Sequence, residues 1–414
     1  MEFFQYLPLE KARVLIGESL AGIASAVETV ELPEALGRVT AEAVIAGESL
    51  PPFDRSTVDG FAVRSADTFG ASESVPALFG VAGEVAMGEQ TALALRSGQA
   101  VSIPTGGMLP AGADAVVMLE YTEQPDAGTM LVARTVAPGE NVVSRGEDIQ
   151  AGAVIVEQGQ RIASQHIGVL AACGYGHIQV RMKIDVAVIS SGDELVAIVE
   201  TPQPGQIRDI NSHTVGSMLT EAGCRVKNMG IVKDSYADFH ATLAQAVATS
   251  QLVIISGGSS VGARDYTVKA IDSLGTPGVL IHGIAVKPGR PTVFGLIGKV
   301  PVFGLPGHPV AAMTVCEQLV KPAVRLLLCQ KEPYAGFGIL ACLARNVAST
   351  PGRDDFIAVQ LSKQAGGYVA DPLLGKSGLI SVMAKADAVM HIPADKSGLY
   401  EGEIVEVMLL RSHE

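Results

Sequence analysis

The chain has 414 residues, room for roughly three domains, and carries 30 Lys+Arg against 43 Asp+Glu, a formal net charge of −13. So acidic a chain excludes broad nucleic-acid binding and attachment to an anionic membrane surface, since both need a continuous basic face. The absence of Trp and an aromatic content of 5% also leave little surface for stacking bases.

Apolar residues make up 48% of the chain, yet no uninterrupted apolar run reaches membrane-spanning length. Met1-Glu-Phe-Phe-Gln lacks the basic n-region and apolar core of a secretory signal, so a cytoplasmic protein is expected. Cys173, Cys224, Cys316, Cys329 and Cys342 are scattered, with no C-x-x-C pair. They read as reduced thiols rather than a zinc site or a disulfide framework.

Residues 1–46 carry helical patterns, with Leu36, Val39 and Val44 spaced for one apolar face. From 47 to 143 the pattern changes to short alternating strands broken by Gly and Pro, as at 75–87 and 129–137, which reads as an inserted β-rich domain. A helical pattern around 162–172 then resumes the interrupted first domain, whose second piece is 144–180.

Residues 181–331 repeat strand, loop and helix. Strands are expected at 186–189, 225–232, 252–255, 279–286 and 302–305, and helices after Ile210, Ser235, Asp265 and Pro309. This is an α/β domain with a mostly parallel sheet. After Pro333 the helices stop, and alternation at 356–361, 388–392 and 404–409 predicts a small β-barrel or sandwich over 332–414.

The polar clusters of the α/β domain follow the predicted strand ends: Ser190-Ser-Gly-Asp-Glu194, Lys233-Asp234, Ser256 to Asp265, Lys287-Pro-Gly-Arg290 and Leu305-Pro-Gly-His-Pro309. In open α/β sheets ligands sit beyond the carboxyl ends of the strands. Ser256, Gly257 and Gly258 open a loop suited to an oxyanion, with the helix N-terminus expected after Asp265. An ordinary strand-to-helix turn with an Asp N-cap fits the same residues, and both readings stay open. Glu194, Asp234 and Asp265 offer hard oxygens for Mg²⁺, and Lys287 and Arg290 offer counter-charge for phosphate. Each acid also has a plain reading as a helix cap or solvated loop residue, Glu194 above all.

Two further clusters lie earlier, at Pro51-Pro-Phe-Asp-Arg-Ser-Thr-Val-Asp-Gly-Phe-Ala-Val63 and from Ser102-Ile-Pro-Thr-Gly-Gly107 to Val117. Together with Gly146-Glu-Asp-Ile149, Ser191-Gly-Asp-Glu-Leu195, Ser256-Gly-Gly258, Val261-Gly262, Asp265-Tyr266, Lys287-Pro-Gly289 and Gly304-Leu-Pro-Gly307, this ordered set resembles the molybdopterin molybdenumtransferase family. That is the family of bacterial MoeA and of the C-terminal domain of gephyrin.

The resemblance implies transfer of molybdenum from molybdate into adenylyl-molybdopterin with release of AMP, Mg²⁺ as cofactor, a homodimer with composite sites, and a separate molybdopterin adenylyltransferase as partner. It implies that Glu194, Asp234 and Asp265 position metal and substrate and that Lys287 binds the anion. Asp59 and Thr105 would reach the site from a second subunit, Asp148 would join the catalytic acids, and Pro306 and Pro309 would shape the oxyanion pocket. Three departures bear on the choice of oxyanion, molybdate or tungstate. Gly283 stands where a lysine is common, Arg290 where Lys is frequent, and His308 where an Asn is common between the two prolines. A protonated His308 could replace the missing charge, or could be an ordinary loop histidine. A molybdopterin adenylyltransferase and a non-enzymatic gephyrin-like scaffold are the rival functions.

Overall fold

The computed structural model describes residues 6–257, 261–331, 333–334 and 338–410, with the backbone alone at 261–265. Helix Leu9–Leu20 buries Leu9, Ala12, Ile16 and Leu20 at helical spacing. That stripe joins the core of the α/β unit, beside Leu319, Val324 and Leu327.

No helix follows at 36–44. Leu36 is 58% exposed, the 3-10 turn Leu32–Ala35 carries Pro33 near its start, and Gly37 turns left-handed at φ +75°. The β-branched residues beyond it are extended instead: Val39 bridges Arg161, and Val44–Ile45 pairs with Val154–Val156. The linker is completed by the antiparallel pair Val27–Glu31 and His177–Arg181 and by helix Ser164–Ala172.

The insert is a six-stranded sheet in the order Ala115–Met118, Gly60–Val63, Gln99–Ile103, Ala77–Glu84, Thr129–Val132, Thr122–Asp126. Its Gly60–Val63 strand is buried throughout.

The α/β sheet has six strands in the order Arg225–Val232, Asp185–Ser191, Leu252–Gly257, Val300–Leu305, Val293–Ile297, Pro277–His282. The first four are parallel. The last two pairings are antiparallel, so Pro277–His282 again runs with the parallel set. Alternate residues feed two cores, Val186, Val188, Leu252 and Ile254 on one face and Ala187, Ile189, Val253 and Ile255 on the other. Sequence reasoning ran one strand through 279–286 and missed Val293–Ile297. The chain in fact turns at Gly283 (φ +95°), and Val286–Lys287 leaves this sheet to pair with Asp354–Gln364 of the next domain.

That last domain is a closed barrel. Asp354–Gln364, Gly367–Pro372, Ile339–Leu343, Ile404–Leu409 and Ala388–Ile392 follow one another, and the first also pairs with the last. Closure removes exposed strand edges. One short helix, Ile380–Lys385, interrupts the expected all-β stretch. Among the described residues no helix is long and apolar enough to cross a membrane. All five thiols are free, with Cys173, Cys224 and Cys316 buried.

Candidate active site at the sheet edge and barrel seam

Because five of the six strands share one direction, the five polar loops all leave the same edge of the sheet. Ser256 is 2% exposed, and its hydroxyl accepts a hydrogen bond from Asn211 Nδ2 at 2.8 Å. The same amide donates to the Gly307 carbonyl at 2.9 Å, tying two loops together. Gly257 has φ +124°, and a Cβ there would lie 1.9 Å from the Ser191 carbonyl oxygen. The neighbouring strand therefore demands this glycine, whatever ligand lies beyond it. Gly258 and the side chain of Asp265 fall outside the described residues. Helix Val261–Leu274 begins before Asp265 rather than after it, so this acid does not cap it.

Neither of the other two acids caps a helix, and both are exposed, as a solvated loop residue would be. The chain after Glu194 forms the short strand Leu195–Val196, not a helix, and Ser235, not Asp234, caps helix Tyr236–Thr249. Glu194 folds its carboxylate over Gly192, with Oε2 2.6 Å from where a Cβ would stand. The Asp234 N–H donates to Asp193 Oδ1 at 3.1 Å. Partial burial, then the charges of Asp193 and Glu194, raise the Asp234 pKa, with Lys233 opposing them. Asp193, Glu194 and Asp234 thus form one acidic edge made of hard oxygen donors. Among the described residues no group of three or more His, Cys, Asp or Glu is arranged to hold a metal.

Asp209, which sequence reasoning missed, braces this edge. It is 5% exposed and accepts from Ser190 Oγ at 2.7 Å and Ser212 Oγ at 2.6 Å. The signal for it was present, since Asp-x-x-Ser ahead of helix Asn211–Glu221 is a capping pattern.

The cationic residues gather in a separate space, a cleft of about 840 Å³ between the α/β unit and the barrel. Lys287, Arg290, Pro306 and His308 line it from one side, Arg353, Asp355, Lys376 and Ser377 from the other. Pro309 does not line it and is buried as the first residue of helix Pro309–Val315. Asp355, with its side chain 2% exposed, accepts from Arg353 Nε at 2.9 Å and faces Lys287 Nζ at 3.6 Å. His308 Nδ1 lies 2.8 Å from Ser377 Oγ, which makes it a strut to the barrel loop.

Gly283 has a physical reason as well. A Cβ there would meet the Tyr6 ring at 2.7 Å, and the Arg290 guanidinium sits 4.7 Å from the centroid of that same ring. Tyr6 therefore occupies the space a side chain at 283 would need, and Arg290 is the cation it helps to place.

In the insert, Asp59 Oδ1 accepts from the Thr105 N–H at 2.8 Å, and both residues are exposed. Asp148 is exposed at the linker, its N–H donating to the Leu50 carbonyl. None of the three lines the barrel cleft.

The raised Asp234 pKa sets a pH dependence. Ionised Asp234 costs folding free energy above its folded-state pKa, whereas below the unfolded-state value both states are protonated and the cost vanishes. Asp234→Asn should therefore raise the unfolding midpoint at neutral pH in metal-free buffer and lose that gain as pH falls through the carboxylate range. Thermal unfolding across that range tests it, and a variant less stable than the parent at neutral pH would contradict it.

Three family models match in chain order: the MoeA N-terminal region (domain I and II) over 7–174, a probable molybdopterin binding domain over 187–326, and the MoeA C-terminal region (domain IV) over 341–410. The molybdopterin molybdenumtransferase of Haemophilus influenzae is 33% identical over 403 residues, covering 97% of this chain and 98% of that one. Its Bacillus subtilis namesake is 33% identical over 388 residues, covering 93% and 90%. A solved MoeA structure from Pyrococcus horikoshii superposes with a TM-score of 0.84 at 30% identity, covering 98% of this chain and 100% of that one. Matched in sequence and in fold from the first helix to the closing barrel, the chain belongs to the MoeA family.

Proposed function

We propose that the chain is a Mg²⁺-dependent molybdopterin molybdenumtransferase, which moves molybdenum from molybdate into adenylyl-molybdopterin and releases AMP. The observation that carries the reading is the pairing of a cation-lined cleft with an acidic edge at the ends of the same sheet. The substrates are an oxyanion and a diphosphate, so the site must offset clustered negative charge. Lys287, Arg290 and Arg353 line the cleft and would hold the oxyanion, the last two through guanidinium forks. Asp355 keeps Arg353 and Lys287 oriented.

Glu194 and Asp234, with Asp265, would hold Mg²⁺, which when bound offsets the diphosphate charge and favours the ionised form of Asp234. Water attack on the adenylyl phosphorus breaks its bond to the bridging oxygen. AMP leaves, and the terminal phosphate stays on the pterin. The acids at the edge take up the proton that water loses. Lys376 and Ser377 line the cleft from the barrel and complete its polar wall.

Asp265→Asn should abolish molybdate-dependent AMP release while leaving thermal unfolding close to the parent. Chelation should suppress release in the parent and added Mg²⁺ restore it. Turnover at the parental rate in the variant, or in metal-free buffer, would remove these acids from the reaction. An adenylyltransferase would instead consume ATP with unmodified molybdopterin, and a scaffold would do neither. Running the assay with tungstate as well reads the oxyanion preference.

Asp59 and Thr105 lie on the insert, away from the cleft of their own chain, which favours a homodimer in which they serve the partner's site. Mixing inactive Asp59→Ala and Asp265→Ala proteins should then restore roughly a quarter of parental activity, because about half of randomly exchanged dimers keep one intact site of two. No recovery after verified subunit exchange would place both residues in one chain's site.

A further inference from the structure

A second cleft, of about 110 Å³, opens where the linker meets the α/β unit, and it shares no residue with the barrel cleft. Arg38, Arg161 and Arg181 face it from the linker, and Lys183, Lys321 and Arg325 from the α/β side. Glu221 is the one acid among its lining residues. Six cations around one concavity are conspicuous in a chain of net charge −13.

Their pairing is incomplete. Arg38 is held by Glu28 and Lys321 by Glu317. Among the described residues no carboxylate pairs with Arg161, Arg181, Lys183 or Arg325. Arg161 Nε donates to the Gly37 carbonyl, Arg181 Nη1 to the Ser25 carbonyl, and Arg325 Nη1 to the Pro333 carbonyl. Each guanidinium keeps further N–H groups in hand. Arg181 Nε is buried and has no acceptor among the described residues. The carbonyl end of helix Lys321–Leu327 accounts for Arg325 in its last turn. It does not account for Arg161, Arg181 and Lys183, which come from other elements.

We infer that this seam binds a phosphate dianion. The cleft has room for a tetrahedral oxyanion with its waters and none for an extended pterin, and planar guanidinium forks with a lysine are donors suited to phosphate oxygens. Because the donors come from both sides, a bound phosphate would also clamp the linker onto the α/β unit. The phosphate can be inorganic or the phosphoryl group of a small monoester such as AMP, since the cleft reads the shared group.

Isothermal titration calorimetry of the full chain with inorganic phosphate and, separately, AMP, each against chloride at equal ionic strength, tests the inference. Phosphate should bind the parent and the Lys363→Gln protein alike, since the exposed Lys363 lines neither cleft. Lys183→Gln and Arg161→Gln, both at exposed positions, should each weaken it roughly ten-fold, as loss of one charge-assisted contact does. Lys183→Arg should keep binding. Binding of AMP at this site as well would show that a monoester suffices, whereas binding of phosphate alone would make the free anion the ligand. No binding of either probe beyond the chloride control overturns the inference. So does phosphate binding that survives Lys183→Gln and Arg161→Gln but is lost in Lys287→Gln, which would put the anion in the barrel cleft.

Discussion

A carboxylate with 2% of its side chain exposed is the constraint around which the site is arranged. Asp355 sits on the first long strand of the barrel, and a buried charge must be paired or its desolvation cost is not offset. Its partners come from two directions: Arg353 two residues earlier on the barrel, and Lys287 from the α/β unit, brought into register by the pairing of Val286–Lys287 with Asp354 and Asp355. Arg353, the nearer and less exposed partner, carries most of that pairing, whereas the solvent-screened contact of Lys287, 58% exposed and 3.6 Å away, adds about 0–1 kcal/mol. The strand pairing of Val286–Lys287 with Asp354 and Asp355 is what fixes how the barrel meets the α/β sheet.

The rest follows from this seam. To reach the barrel the chain must leave the sheet after His282, and it does so at Gly283, where a positive φ and the close Tyr6 ring admit no side chain. Tyr6 in turn carries Arg290, and Leu7 anchors the same turn through hydrogen bonds with Gly283 and Ala285. Two cations are thereby directed into the cleft by packing rather than by flexible reach. On the other side of the sheet's end, Asn211 and Asp209 lock the loops that carry the acids. Partial burial, then the charges of Asp193 and Glu194, raise the Asp234 pKa, a cost a bound cation would relieve.

The sequence was legible where one residue type has one physical use. The run 252–255 reads as a buried strand and lies within Leu252–Gly257, and alternation at 388–392 and 404–409 points to a barrel or sandwich, of which the barrel formed. The convergence of five polar loops on one edge followed from strand direction alone. It failed where tertiary packing decides. Leu36, Val39 and Val44 have helical spacing, but Gly37 and pairing to distant strands override it. Val293–Ile297 lies close behind Pro291 with Gly295 inside it, so its strand pattern was masked. Arg353, Asp355 and Ser377 belong to the cleft through contacts some seventy to ninety residues from Lys287, for which local patterning carries no signal. The need for Gly257 was visible, whereas its cause, the Ser191 carbonyl, was not.

The central claim is that cations at the barrel seam hold the oxyanion substrate. Equilibrium dialysis of molybdate against the parent protein and against the Lys287→Gln and Arg290→Gln variants tests it most directly, because both side chains are exposed and their loss spares the core. Each substitution is expected to weaken molybdate binding by roughly ten-fold, as loss of a charge-assisted contact does, with an unchanged unfolding midpoint. Equal affinity in the parent and in the doubly substituted protein would contradict the account.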